Sequence, residues 1–141
     1  MKKKILFLCT GNTCRSSMAQ LLAHNQLKKK GLEGRVEVDS AGTAAFPGQE
    51  ANPHAVTVMD ELGLDLDYHR AKLLDEANLK EASLVVAMTE GHKQQLLALN
   101  PEFNGEVVVL GVPDPIGGSI QEYRRCRDYL EREIAKILKD F

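Results

Sequence analysis

The stretch CTGNTCRS at residues 9–16 constrains the fold of this chain more than any other part of the sequence. It follows an apolar run at residues 5–8 and precedes a helical pattern, so it predicts a strand, a tight loop and a helix start. Gly11 and Asn12 are the residue types best able to adopt a positive φ, which curls such a loop so that backbone N–H groups point inward. The helix N-terminus adds unpaired donors and the positive end of its dipole. Together these features predict a phosphate-binding loop after the first strand.

Two residues of this loop have the chemistry to act on a bound phosphoryl group. Arg15, six positions after Cys9, can form a bidentate hydrogen bond with two phosphoryl oxygens. The positive field of the loop favours the thiolate form of Cys9, which makes Cys9 a candidate nucleophile. Ser16 can hydrogen-bond the Cys9 sulfur, or it can serve only as the cap of the helix. The predicted phosphate-binding residues are Thr10, Gly11, Asn12, Thr13, Cys14, Arg15 and Ser16.

The length and charge of the chain narrow the class of protein. With 141 residues, residues 1–141 are expected to form a single domain with a substantial core. A net charge of -2 argues against a nucleic acid or a membrane surface as partner, and no apolar stretch is long enough to span a bilayer. Three cysteines without a secretion signal are typical of a reducing compartment. We therefore expect a cytoplasmic monomer.

No metal or cofactor is expected from the sequence. The four histidines are scattered and lack the spacing of metal ligands; they are His24, His54, His69 and His92.

The rest of the chain alternates between strand-like and helical patterns. Apolar runs predict three further strands, the last two of them buried, at residues 36–38, 83–88 and 107–110. Helical patterns follow the four strands at residues 15–30, 53–62, 75–80, 89–99 and 120–137. This order predicts an α/β fold in which a four-stranded parallel open sheet is covered by helices on both faces.

Ligands bind such sheets beyond the carboxyl ends of the strands. The phosphate-binding loop, a polar turn at residues 39–43 and Asp114 all follow predicted strands. In that turn, Ser40 or Thr43 could hydrogen-bond the phosphate-binding loop, or could merely satisfy the turn.

Asp114 is the second candidate catalytic residue. Pro113 and Pro115 restrict the backbone on both sides of it and aim its carboxylate in one direction. Phosphoryl transfer to a thiolate needs an acid for the leaving atom and then a base for water, and one carboxyl group can serve both steps. The alternative is that the Pro-Asp-Pro segment is only a turn.

Taken together, these motifs resemble those of a known protein family. Cys9 to Ser16 together with Asp114 and Pro115 resembles the low-molecular-weight protein tyrosine phosphatase family over essentially the whole chain. The loop, residues 87–89 with 92–93, and residues 114–115 with 117–120 are most similar to the bacterial protein arginine phosphatase branch. The resemblance implies a protein phosphatase in which Cys9 is the nucleophile, Arg15 the phosphate clamp and Asp114 the acid and base. Its substrates would be phosphorylated proteins and its intermediate a phosphocysteine.

Two positions bear on which phosphorylated residue is hydrolysed. Tyrosine-specific members of the family carry aromatic residues just after the Asp-Pro, whereas Ile116 and Gly117 follow here. Thr13 stands where tyrosine-specific relatives usually have an aliphatic residue, and in the arginine branch a Thr there is tied to selectivity. Without aromatic walls, phosphotyrosine loses stacking contacts worth about 1 kcal/mol each. Thr13 and Ile116 therefore favour phosphoarginine, with phosphotyrosine as the alternative.

Some features leave other interpretations open. Ser17 and Gln20 stand where the family usually has Pro and Glu, so the helix entry is expected to be less rigid. An arsenate reductase shares the fold and loop, but it needs two further cysteines near residues 80–90, where this chain has none. Cys126 is expected to be a half-buried structural thiol in the last helix. Cys14 could trap an oxidised Cys9 as a disulfide, or could only pack beneath the loop.

Overall fold

A computed structural model describes residues 2–141, which form one parallel sheet covered by helices. Its strands are β1 (Lys3–Cys9), β2 (Val36–Gly42), β3 (Leu84–Ala87) and β4 (Glu106–Val109). All neighbouring strands are parallel, and their order across the sheet is β2-β1-β3-β4. β1 lies inside the sheet because residues 5–8 are apolar, and each of them is 0 % exposed.

Five helices cover the two faces of the sheet. They are α1 (Arg15–Lys29), α2 (Pro53–Asp60), α3 (Glu76–Glu81), α4 (Glu90–Leu99) and α5 (Ile120–Leu138). Successive side chains of a strand point to opposite faces, so Ile5 and Phe7 pack in a core with side chains from α1, α2 and α5. Leu6 and Leu8 pack in the other core with side chains from α3 and α4. The predicted α/β architecture is therefore confirmed.

The helix boundaries follow local sequence signals. Asn52 accepts the backbone N–H of His54 at the start of α2, and Pro53 occupies its first position. Gly31 adopts a φ of 71° just beyond α1, as the sequence predicts for a helix stop. No helix within residues 2–141 combines the length and hydropathy needed to cross a bilayer.

Three local predictions need correction. β2 continues to Gly42, so Ser40 lies in a strand and not in a turn. β4 is half-exposed and not buried. It is the outermost strand of the sheet, so it pairs with β3 on one side only. Cys126 is 7 % exposed, so its thiol is fully and not half buried.

Candidate active site

The phosphate-binding loop is held in shape by the side chain of Asn12. This residue has a φ of 59°, the left-handed conformation that Asn tolerates. Its amide Nδ2 donates to Ser16 Oγ at 2.8 Å and to Ser40 Oγ at 2.9 Å. Its Oδ1 accepts the backbone N–H of Lys72 at 2.9 Å. The loop is therefore tied to the start of α1, to β2 and to the segment before α3.

The Cys9 sulfur sits at the carboxyl end of β1 and is surrounded by donors. The backbone N–H of Asn12 donates to Sγ at 3.3 Å, and Ser16 Oγ lies 2.9 Å from it. The Ser16 oxygen accepts from Asn12 Nδ2, an amide nitrogen that can only donate. The Ser16 hydroxyl proton is therefore the one directed at the sulfur. Two hydrogen-bond donors are therefore directed at the Cys9 sulfur.

A small cup opens above the sulfur. Within residues 2–141, no side chain caps the first turn of α1, and no acidic residue lies in that turn. Its N–H donors and dipole are therefore left for an anion. The cup is lined by Cys9, Gly11, Thr13, Cys14, Arg15, Asp114 and Ile116. All three predicted catalytic residues and both predicted selectivity residues thus meet in one place.

Arg15 joins the loop to the segment that carries Asp114. Its guanidinium is almost completely buried, and Nη1 donates to the backbone oxygen of Val112 at 2.9 Å. Its Nη2 lies 3.5 Å from Asp114 Oδ2. Because one nitrogen is fixed by the backbone, the fork is oriented before any anion arrives, which lowers the entropy lost on binding.

Asp114 is aimed by its own segment. Its Oδ1 accepts the backbone N–H of Ile116 at 3.0 Å, two residues on, which is the geometry of an Asx turn. The side chain is 41 % exposed, so the carboxyl group can exchange protons with water. An acid at the rim of a cup with a thiol at its floor can protonate a group that leaves the sulfur-bound phosphorus.

Of Ser40 and Thr43, the two residues that could hydrogen-bond the phosphate-binding loop, Ser40 does so through its side chain. Ser40 Oγ accepts from Asn12 and donates to Gln20 Oε1 at 2.5 Å. Thr43 Oγ1 has no hydrogen-bond partner among residues 2–141, although the Thr43 backbone N–H donates to the Cys9 oxygen at 2.8 Å. Thr43 therefore supports the loop only through its backbone.

Two histidines that are far apart in the sequence both form hydrogen bonds with the loop. His69 Nε2 lies 2.6 Å from the Asn12 backbone oxygen, and His92 Nε2 lies 2.8 Å from Thr10 Oγ1. Burial lowers the pKa of both imidazoles, which favours neutral rings at neutral pH. No local pattern reveals these roles because the contacts join distant parts of the chain.

The segment that follows β2 contacts the loop through its backbone and carries an exposed aromatic residue. Residues 43–49 run beside the loop, with the Ala44 backbone N–H donating to the Thr10 oxygen at 3.0 Å. In this segment Phe46 is 76 % exposed.

No cluster of metal ligands accompanies these residues. Among residues 2–141, no group of three or more His, Cys, Asp or Glu side chains is arranged to hold a metal ion.

Comparison with known proteins extends these observations to the whole chain. The family model described as low molecular weight phosphotyrosine protein phosphatase matches residues 4–141. A protein-arginine-phosphatase of Geobacillus stearothermophilus is 41% identical, over 97% of this chain and 95% of its own. The crystal structure of a YwlE mutant from Bacillus subtilis superposes with a TM-score of 0.92 at 37% identity, covering 99% of this chain and 98% of that one. A mutant of YwlE arginine phosphatase with a phosphorylated active-site serine has a TM-score of 0.91 and 38% identity, with coverages of 97% and 94%.

Proposed function

The chain belongs to the low molecular weight phosphotyrosine protein phosphatase family, and on that basis we propose that it hydrolyses phosphoarginine on proteins through a phosphocysteine at Cys9. Relatives named protein-arginine-phosphatase, about 40% identical over nearly the full chain, support this substrate. A phosphorylated active-site residue in the related YwlE mutant supports a covalent intermediate.

In the first step the Cys9 thiolate attacks phosphorus. The phosphorus–nitrogen bond breaks, and Asp114 gives its proton to the guanidine nitrogen that departs. Arg15 and the N–H groups of the loop hold the phosphoryl oxygens and stabilise the charge that they carry in the transition state. This step leaves an unphosphorylated arginine side chain on the protein substrate and a phosphocysteine on the enzyme.

In the second step a water molecule attacks the phosphocysteine. Asp114, now a carboxylate, takes a proton from the water, and inorganic phosphate forms as the sulfur–phosphorus bond breaks. Cys9 leaves as a thiolate, which the Ser16 hydroxyl stabilises from 2.9 Å. Nucleophile, clamp, acid and base are all side chains of the chain itself.

One observation carries the choice of phosphoarginine over phosphotyrosine. Thr13 lines the cup together with Cys9 and Asp114, so a hydroxyl group stands beside the atom that links phosphorus to the substrate. A guanidinium offers N–H donors there, whereas a phenyl ring offers none. Ile116, which is 57 % exposed, lines the same cup without an aromatic ring for a phenyl group to stack on.

The arsenate reductase alternative needs a relay of thiols that the chain does not provide. Its three cysteines are all buried, and none falls near residues 80–90.

The decisive experiment measures turnover of matched phosphoarginine and phosphotyrosine peptides by the wild-type chain and by Cys9→Ser. We expect kcat/KM to favour phosphoarginine and Cys9→Ser to abolish turnover of both peptides. A preference of the wild type for phosphotyrosine would overturn the phosphoarginine assignment. Undiminished activity of Cys9→Ser would overturn the mechanism.

A further inference from the structure

A histidine outside the loop holds the residue that follows the nucleophile. His92 lies in the first turn of α4, beyond the carboxyl end of β3, and its side chain is 4 % exposed. One ring nitrogen, Nε2, lies 2.8 Å from Thr10 Oγ1, and the other, Nδ1, lies 2.8 Å from Thr89 Oγ1. The ring therefore bridges the end of β3 to the phosphate-binding loop.

We assign the protons in this bridge from the helix cap. The Thr89 oxygen accepts the backbone N–H of His92 as the N-cap of α4, so its hydroxyl proton is available for Nδ1. Burial and the nearby Arg15 charge lower the pKa of His92, against the opposing effect of Asp114. A neutral ring has one N–H, which is then on Nε2 and donates to Thr10 Oγ1.

This assignment determines which hydrogen bonds the Thr10 hydroxyl oxygen can still accept. One lone pair of its hydroxyl oxygen accepts from His92, and a second lone pair remains available. Thr10 is exposed directly after Cys9, whereas Thr13 is 8 % exposed and lines the cup. Without the histidine, the Thr10 side chain would be free to choose among rotamers at χ1.

We propose that His92 is a positioning residue that turns the Thr10 hydroxyl oxygen toward the substrate, where it accepts an N–H of the phosphoarginine guanidinium. This inference rests on the proposed function and adds Thr10 to Thr13 as a specificity residue. A phosphotyrosine ring presents no N–H at that position, so the contact contributes only to the arginine substrate.

The test measures kcat/KM of Thr10→Val, His92→Leu and their double mutant with matched phosphoarginine and phosphotyrosine peptides. Loss of one hydrogen bond predicts that kcat/KM falls roughly three- to tenfold more with phosphoarginine than with phosphotyrosine. The double mutant should be no worse than Thr10→Val, because both changes remove one contact. His92→Gln should recover much of the loss, since its amide Nε2 can donate in place of the imidazole.

His24→Leu, at an exposed position of α1, is the matched control and should leave both rates unchanged. Unfolding midpoints and inhibition by inorganic phosphate report whether each variant keeps its fold and its loop. If His92→Leu does not fold, the substrate ratios of Thr10→Val and His92→Gln decide the question. Equal losses for both peptides in Thr10→Val, or additive effects in the double mutant, would overturn the role of His92 and leave the proposed function intact. Failure of the wild type on phosphoarginine would overturn both.

Discussion

The Ser16 hydroxyl oxygen lies 2.9 Å from the Cys9 sulfur and 2.8 Å from the Asn12 amide nitrogen. Because Asn12 can only donate there, the Ser16 proton is committed to the sulfur. In the proposed mechanism this hydroxyl group donates to the sulfur when the phosphocysteine is hydrolysed and Cys9 leaves.

Removing this hydroxyl group should slow the reaction. Hydrogen bonds to charged groups are worth about 1.5 to 3 kcal/mol, so Ser16→Ala should lower kcat by roughly ten- to hundredfold. Ser17→Ala is the matched control, since Ser17 Oγ donates to the Cys14 backbone oxygen and not to the sulfur. Equal effects of the two substitutions would contradict a specific role for Ser16.

The carboxyl group of Asp114 should matter for turnover more than for binding. Asp114→Asn removes the acid and base while leaving Arg15 and the loop to hold the anion, so kcat should fall by about 10² to 10⁴. The inhibition constant of vanadate should change little. Asp128→Asn, on the exposed side of α5, should leave kcat near the wild-type value. A loss of vanadate binding that matches the loss of kcat would show that Asp114 acts in anion binding instead.

Thr13 should control substrate choice. Thr13→Ile removes a polar partner and adds apolar contact in the same cup, so the ratio of kcat/KM should move by about 1 to 3 kcal/mol, roughly ten- to hundredfold, toward phosphotyrosine. Thr13→Ser keeps the hydroxyl group and should preserve the wild-type ratio. The measurement is kcat/KM with the two matched peptides. An unchanged ratio in Thr13→Ile would mean that selectivity lies elsewhere in the cup.

Mild oxidation should join Cys9 to Cys14. Peroxide converts the Cys9 thiolate to a sulfenic acid, which condenses with a second thiol to give a disulfide and water. Cys14 lines the same cup as Cys9, whereas burial raises the pKa of Cys126 to about 12 and keeps that thiol protonated. Burial also raises the pKa of Cys14, so the crosslink should form faster as the pH rises.

Peptide mapping after peroxide treatment checks this prediction. Thiols should reverse the crosslink and restore activity, and Cys14→Ser should make the same treatment irreversible. Sulfinic acid at Cys9 of the wild type, without a crosslink, would instead assign Cys14 a packing role only.

The stability of the folded chain at acidic pH should depend on Glu61. Hydrogen bonds from Arg124 and Arg127 lower its pKa from 4.5 to about 2 in the folded chain. A depressed folded pKa contributes stability above the unfolded value, and that contribution is lost as the pH falls from about 4.5 toward 2. Glu61→Gln should therefore lower the urea midpoint at pH 7, and its difference from wild type should shrink as the pH falls through this window.

Glu33→Gln provides the control for this profile. Glu33 is exposed and forms no ion pair within residues 2–141, so its substitution should leave the urea midpoint unchanged at every pH. A difference between Glu61→Gln and wild type that persists undiminished near pH 2 would show that the effect comes from packing and not from charge.

The sequence predicts the parts of this site that are set locally. A central strand follows from four consecutive apolar residues at 5–8, and the left-handed turn follows from Asn12, because both depend on residues close in the chain. The position of β4 at the edge of the sheet could not be predicted, because central and outer strands can have the same apolar sequence pattern. The bonds from His69 and His92 span 57 and 82 residues, and no local periodicity encodes contacts over such distances.

The hydrogen bonds of the loop also determine when a newly made chain becomes reactive. Cys9 is synthesised before most of the residues that shape its loop, because the Asn12 side chain takes two of its partners from residues 28 and 60 positions further on. Arg15 meets the Val112 oxygen that orients it 97 positions further on. A chain that ends before Val112 therefore lacks the contact that orients Arg15, and the proposed site is assembled only after residue 112 has been synthesised and has folded.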